Sequence, residues 1–208
     1  LEQEMLTRTD ALAIEAAKLL AARRPKIAVA EKGLSAVSEA MRVECVNWLA
    51  ADYETDANAQ KALRSALTSR YQKVRDQAAV SLGLKKDPQA FEALVKMLNT
   101  AADQPTQRKA IDTLRKLGDK RTPVAFLERL ENDPAKTAIV DELLSGTGFF
   151  RQPETAERLI SYGERSNKWQ NVYQQILLIS GHDQAIPARR AGLGRHRGRA
   201  GQQRRHPR

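Results

Sequence analysis

The feature that most constrains the fold is a set of apolar positions that recurs every 32 or 33 residues. Within each copy the spacing places these positions on one face of a predicted helix. The copies are Met41, Cys45, Val46 and Leu49, then Val74, Ala78, Ala79 and Leu82, then Ala110, Ile111 and Leu114. A period in the low thirties with two helices per unit is typical of an α-solenoid, a stack of helical hairpins.

The segment after the recurring helix of residues 74–82 predicts a second, shorter helix. Asp87 is a favourable N-cap, and Pro88 suits the first helical position because its missing N–H is not needed there. The helix that follows is predicted to bury Phe91, Leu94, Val95 and Leu98. Two short helices joined by a tight turn form an antiparallel hairpin.

These residues carry a family resemblance. Residues 74–98, "VRDQAAVSLGLKKDPQAFEALVKML", resemble a HEAT repeat of the short bacterial kind, which also occurs in phycobilisome-lyase-type HEAT-like proteins. The resemblance extends over about residues 26–186 and is strongest over residues 55–118. It implies an all-α fold, an α-solenoid with a right-handed superhelix built from about five HEAT-like hairpins. It also implies a surface that binds other proteins.

One part of the HEAT pattern is mostly missing. In HEAT repeats an Asp before the second helix commonly pairs with an Arg of that helix and builds a ladder along the array. The positions six residues before Arg42 and Arg75 hold Ala36 and Ser69. We therefore expect a ladder pair only where Asp103 lies near Arg108, and hydrophobic stacking elsewhere.

The chain divides into three predicted regions. Residues 1–25 are predicted to form an N-terminal helix that is the remnant of a preceding repeat, so that the chain is a fragment of a longer repeat protein. Residues 26–186 are the HEAT-like array. Residues 187–208 are an Arg/Gly-rich tail without the composition of a packed core, and we expect it to be disordered.

The tail carries most of the net charge. It contributes +8 of the formal net charge of +10, so the remaining residues are close to neutral. Nucleic-acid binding through these arginines, a solubilising extension, and a frame-shifted or non-native segment all remain open. The candidate nucleic-acid contacts are Arg189, Arg190, Arg195, Arg197, Arg199, Arg204 and Arg205.

The sequence contains no recognisable catalytic constellation. His182, His196 and His206 share no helix face with a cysteine or a carboxylate pair, so no metal or cofactor is expected. Cys45 lies among apolar residues and is expected to be buried. Trp48 and Trp169 are interpreted as core residues, which argues against a DNA glycosylase of the HEAT-like kind.

The candidate partner-binding face follows from the helical wheel. With Ala78 directed to the core, Asp76 and Val80 are predicted to point outward, as are their equivalents in the adjacent repeats. The complete set is Val43, Asn47, Asp76, Val80, Arg108 and Asp112. This stripe has mixed charge and two predicted exposed valines, which fits either a solvated face or a shallow protein-binding groove. Phe149 and Phe150 have two interpretations: they cover a gap at a degenerate repeat, or they form a second candidate anchor for a partner.

A non-catalytic protein-protein interaction scaffold is the leading functional hypothesis. The alternatives are nucleic-acid binding through the tail and an enzyme of the HEAT-like lyase or DNA glycosylase type. The identity of the protein partner is not encoded in any motif. No apolar run reaches the roughly 18 residues of a membrane span, and the cytoplasm is the default compartment.

Overall fold

The computed structural model describes residues 1–132, 139–166 and 169–180. Within these ranges the chain forms twelve α-helices and two short 3₁₀ helices, Ala66–Thr68 and Pro153–Thr155, with no strand. The helices are α1 (Glu2–Thr7), α2 (Ala11–Ala21), α3 (Lys26–Gly33), α4 (Glu39–Ala51), α5 (Ala57–Ser65), α6 (Gln72–Leu84), α7 (Ala90–Thr100), α8 (Gln104–Leu117), α9 (Thr122–Asn132), α10 (Val140–Phe149), α11 (Ala156–Arg165) and α12 (Trp169–Ser180).

The helices pair as the repeat predicts. Helices α3 to α12 make five successive hairpins in the described residues, and in each hairpin the first helix contacts the second. The second helices α4, α6, α8, α10 and α12 also contact one another in order along the array. The all-α solenoid is therefore confirmed, with the second helices as one continuous layer. The handedness of the superhelix stays a prediction.

The recurring apolar positions form the core. Every residue of the three copies, from Met41 to Leu114, is at most 1% exposed. The packing is close because small residues lie where helices cross. A Cβ at Gly83 of α6 would lie 2.5 Å from Cγ2 of Thr113 in α8, so a larger residue would separate these two second helices.

The prediction for α7 needs one correction. Phe91, Leu94 and Leu98 are buried as expected, but Val95 is only half-buried and Met97 is buried in its place. Helix α7 also begins at Ala90 rather than at Pro88. The carboxylate of Asp87 accepts the backbone N–H of Gln89 at 3.0 Å, which stabilises a turn before the helix starts.

The N-terminal segment is not the single helix that was predicted for residues 1–25. It forms two helices, α1 and α2, separated by residues 8–10. Arg8 and Asp10 have extended backbones, and Arg8 donates two hydrogen bonds to the carboxylate of Asp10, at 3.0 and 2.7 Å. These polar contacts compete with helix formation there. Helix α2 contacts α4, so this pair extends the layer of second helices.

Candidate functional site

The outward face of the second helices carries the residues predicted to bind a partner. Asn47 on α4 and both Arg108 and Asp112 on α8 are exposed, whereas Val43 and Asp76 are half-buried. Whether these residues bind a partner stays a prediction.

Val80 was predicted to be exposed and this was wrong, because it is only 4% exposed. Residues 78–83 of α6 are all buried. Since α6 packs against the second helices α4 and α8 on its two sides and also contacts the first helices α5 and α7, residues 78–83 are covered on every side. A helical wheel drawn for one helix does not include these neighbours.

A row of polar contacts links each second helix to the next. Gln77 of α6 donates to Oδ1 of Asn47 at 2.8 Å, and Lys109 of α8 donates to Oε1 of Gln77 at 3.5 Å. Further along, Arg108 donates to Glu142 of α10 at 2.7 Å, and Asn171 of α12 donates to Asp141 at 2.6 Å. We call this row, from Asn47 to Asn171, the inter-repeat ladder. It ties five second helices into one surface.

The ladder differs from the Asp–Arg pairing that was expected. Asp103 does not pair with Arg108; it caps α8 by accepting the backbone N–H of Thr106 at 2.8 Å. Arg108 pairs with Glu142 of the next repeat instead. The electrostatic contact therefore runs between repeats rather than within one.

In three repeats, backbone carbonyl groups take the place of the missing carboxylates. Arg42 donates to the carbonyl of Ala36 at 2.5 Å, and Arg75 donates to the carbonyl of Ser69 at 2.5 Å. In the next repeat Gln107 donates to the carbonyl of Ala101 at 2.8 Å. In all three the acceptor lies six residues earlier, in the turn before the second helix, so no Asp is required there.

The first cleft has a volume of about 280 Å³ and lies where α4, α6 and α8 meet. Burial raises the pKa of Asp76 from its ordinary value, and this is partly opposed by a hydrogen bond from Gln72 and the charges of Arg75 and Lys109. The cleft thus combines one desolvated carboxylate with two lysines. Its lining residues are Val43, Lys73, Asp76, Gln77, Met97, Thr106 and Lys109.

The second cleft has a volume of about 450 Å³ and lies between α8 and α10. It holds two arginines and three carboxylates, which gives it a slightly negative balance. Its lining residues are Arg108, Ile111, Asp112, Arg115, Asp141, Glu142 and Ser145.

An exposed aromatic residue extends the second cleft. The guanidinium of Arg115 lies 4.8 Å from the ring centre of Phe149, a cation–π distance. Phe149 is 54% exposed and meets Phe150 edge-on at 5.4 Å. Phe149 is therefore an apolar side chain that is held in place and still accessible, whereas Phe150 is half-buried.

The single cysteine of the chain, Cys45, is buried. Burial raises the pKa of the Cys45 thiol to about 12, so it is not a thiolate at neutral pH. Among the described residues no group of three or more His, Cys, Asp or Glu side chains is placed to hold a metal ion. Within the same ranges, no helix is both long enough and apolar enough to cross a membrane. The tail arginines, from Arg189 to Arg205, lie outside the described residues.

Part of the chain matches a known family of helical repeats. The family model for HEAT repeats matches residues 59–143, from α5 into α10. This segment is a HEAT-repeat array. Both clefts draw most of their lining residues from it, so the candidate site is part of the HEAT repeats themselves. Repeat arrays of this kind use their extended faces to bind other proteins.

One curated protein is similar to part of this chain. The bilin biosynthesis protein PecE of Nostoc sp. strain PCC 7120 is 33% identical over 94 residues. These residues make up 44% of this chain and 37% of PecE. The chain thus matches little more than a third of the length of that relative.

Proposed function

We propose that this chain is a non-catalytic scaffold that binds a protein partner on the outward face of its second helices. The observation that carries the proposal is the position of the two clefts, which lie side by side on this face. They are lined by four of the six residues that the helical wheel selected: Val43, Asp76, Arg108 and Asp112. The partner would bridge at least three repeats.

The ladder supports this proposal through preorganisation. Its hydrogen bonds hold Arg108, Lys109 and Glu142 at the rims of the clefts before any partner arrives. A surface whose side chains are already ordered loses less conformational entropy on binding. Mixed charges at the rim favour specificity and association rate more than affinity.

Phe149 is the expected anchor of the interface. Phe and Arg are both enriched in the cores of protein interfaces, and Arg is also frequent among the residues that dominate binding energy. Its neighbour Arg115 orients the ring at the end of the second cleft. An apolar group of the partner would pack on Phe149, and the charged residues of the second cleft would set the orientation of the partner.

The proposal is tested by affinity capture with the full chain. Phe149→Ala should reduce the recovery of a bound protein about tenfold or more, as expected for an interface hot spot. Leu84→Ala is the matched control, because Leu84 is a similarly exposed apolar residue that lines neither cleft. Equal recovery with both variants would contradict binding at this face.

A role in bilin chemistry is a second candidate, and the similarity to PecE is the observation that favours it. Bilins carry propionate carboxylates, which arginine binds well. Arg108 and Arg115 in the second cleft are the residues that would receive them. Titration of the full chain with biliverdin, followed by visible absorbance, tests this. Arg115→Gln should weaken binding while Lys116→Gln should not, and an unchanged spectrum of the wild-type mixture would reject the role.

A further inference from the structure

Three arginines and a tyrosine cluster at the N-terminal ends of α4 and α6. We call Arg42, Arg70, Tyr71 and Arg75 the arginine–tyrosine patch. The guanidinium carbons of Arg42 and Arg70 lie 4.8 and 4.7 Å from the ring centre of Tyr71. The patch shares no residue with either cleft, so it does not depend on the function proposed above.

The arginines of the patch are not held in salt bridges. In the described part of the chain Arg42, Arg70 and Arg75 form no ion pair with a carboxylate, whereas Arg64, Arg108, Arg121 and Arg158 each do. The nearest acidic side chain along α6, Asp76, accepts a hydrogen bond from Gln72 at 2.5 Å. Burial lowers the pKa of Arg42, and the like charge of Arg70 lowers it further.

The patch keeps unused hydrogen-bond donors. A guanidinium has five N–H groups. Arg42 uses Nε for the carbonyl of Ala36, and Arg70 uses Nη2 for the hydroxyl of Tyr71 at 2.7 Å. Arg75 donates to the carbonyl of Ser69 and to the side chain of Gln72. Each arginine therefore has donors left for a bound anion.

The tyrosine holds the patch in position across two repeats. Its hydroxyl donates to the carbonyl of Val37, in the turn before α4, at 3.0 Å. This bond places the start of α6 against the start of α4, so that Arg42 and Arg70 approach the same ring. The charges are thus fixed by the stacking of repeats rather than by one flexible loop.

We propose that the arginine–tyrosine patch binds a carboxylate-rich segment of a protein partner. Three guanidiniums that lack a carboxylate partner match a short acidic segment, because each can take a carboxylate through charge-assisted hydrogen bonds. The patch is also confined to one repeat junction. The positions equivalent to Arg70 and Tyr71 hold Val37 and Ser38 one repeat earlier, and Ala102 and Asp103 one repeat later. A nucleic-acid strand needs a longer basic track than this.

Photo-cross-linking with the full chain tests the proposal, because it locates the contact. The probe is a hexaglutamate peptide with a benzophenone at one end, and the cross-linked residues are mapped by mass spectrometry. We expect cross-links in residues 36–43 and 68–76. Arg70→Gln should lower their yield about fivefold, since it removes a charge-assisted contact from an exposed position.

Two controls make the result decisive. Lys116→Gln removes one exposed charge from α8 and should leave these cross-links unchanged. Phe149→Ala should also leave these cross-links unchanged. This result would show that the peptide binds the patch and not the outward face of the second helices. Cross-links found only in residues 187–208, or an equal loss with Lys116→Gln, would overturn the proposal. So would displacement of the peptide by a thymidine dodecamer at a lower concentration than by unlabelled hexaglutamate.

Discussion

Asp87 is a buried carboxylate, 2% exposed, that joins three segments of the array. It accepts the hydroxyl of Tyr53 at 2.7 Å, Nε of Arg64 at 2.6 Å and the backbone N–H of Gln89 at 3.0 Å. Burial alone raises its pKa, but the hydrogen bonds from Arg64, Gln89 and Tyr53 outweigh this and hold the pKa below its ordinary value. The joint after α6 is therefore tied back to the preceding repeat.

Replacing this carboxylate should destabilise the fold. Asp87→Asn keeps the shape but removes the charge and one acceptor, so we expect a loss of about 1–3 kcal/mol in the free energy of unfolding at pH 7. Urea unfolding followed by circular dichroism measures this loss. Asp112→Asn, an exposed carboxylate on α8, should change stability by less than about 0.5 kcal/mol.

The effect should depend on pH in one direction. Because the folded-state pKa of Asp87 is lowered, its stabilisation is complete above the ordinary pKa near 4 and is lost as the pH falls through the folded value. The difference in stability between the wild type and Asp87→Asn should therefore shrink below about pH 4. A difference that stays constant down to pH 3 would show that the charge is not what matters.

At the scale of elements, a residue one or two positions past the end of each central second helix adopts the left-handed conformation. Lys86 after α6 has φ of 58°, Gly118 after α8 has φ of 74°, and Arg151 after α10 has φ of 50°. The three positions are 32 and 33 residues apart, so this helix end is part of the repeat. Only one of the three is glycine, the residue that adopts this conformation without strain.

Lys86→Gly should therefore stabilise the array. We expect a gain of about 0.5–1 kcal/mol in the free energy of unfolding, since glycine removes the strain of the left-handed position. Lys85→Gly is the control because Lys85 has φ of −87°, and there glycine should lower stability. Thermal unfolding of the two variants measures the contrast, and a loss in both would contradict the role of the left-handed end.

The close contact of α6 with α8 makes a second prediction at this scale. Gly83→Ala places a methyl group against Thr113 and should cost about 1–3 kcal/mol, despite the higher helix propensity of alanine. Thr113→Ser removes the opposing methyl but keeps the hydroxyl that donates to the carbonyl of Lys109. Adding it to Gly83→Ala should recover part of the loss. Strictly additive losses in the double variant would show that the two residues do not meet.

At the scale of the whole molecule, stability should vary along the array. Repeat arrays are stabilised by contacts between adjacent repeats, so an element covered on both sides opens least often. Helix α6 packs between α4 and α8, whereas α2 contacts α4 but leaves Leu12 and Leu19 exposed. Backbone amides of α6 should exchange with solvent at least about tenfold more slowly than those of α2.

Hydrogen exchange followed by mass spectrometry measures this gradient in the full chain. Asp87→Asn should accelerate exchange in α5 and α6, where the carboxylate is anchored, and should leave α2 little changed. Equal protection in α2 and α6 would mean that the array unfolds as one cooperative unit rather than repeat by repeat.

Much of the fold was predictable because the signals are local and repeated. Met41, Val74 and Ala110 mark the core in their copies by spacing within a single helix, and the structure confirms all of these positions. The left-handed helix ends also had a signal, since Gly118 follows the recurring Leu114 at a fixed distance. The signal was missed because the equivalent positions in the neighbouring copies hold Lys86 and Arg151 rather than glycine.

The amino-acid sequence by itself determined the hairpins, the period and the buried stripe, because each depends on residues a few positions apart. The burial of Val80, the ladder and the two clefts were decided only by the tertiary structure. The residues that form these features lie about one repeat apart in the chain, as in the contacts of Asn47 with Gln77 and of Arg108 with Glu142. They meet only because the second helices stack directly on one another. The spacing of apolar residues within one helix carries no information about such contacts between helices.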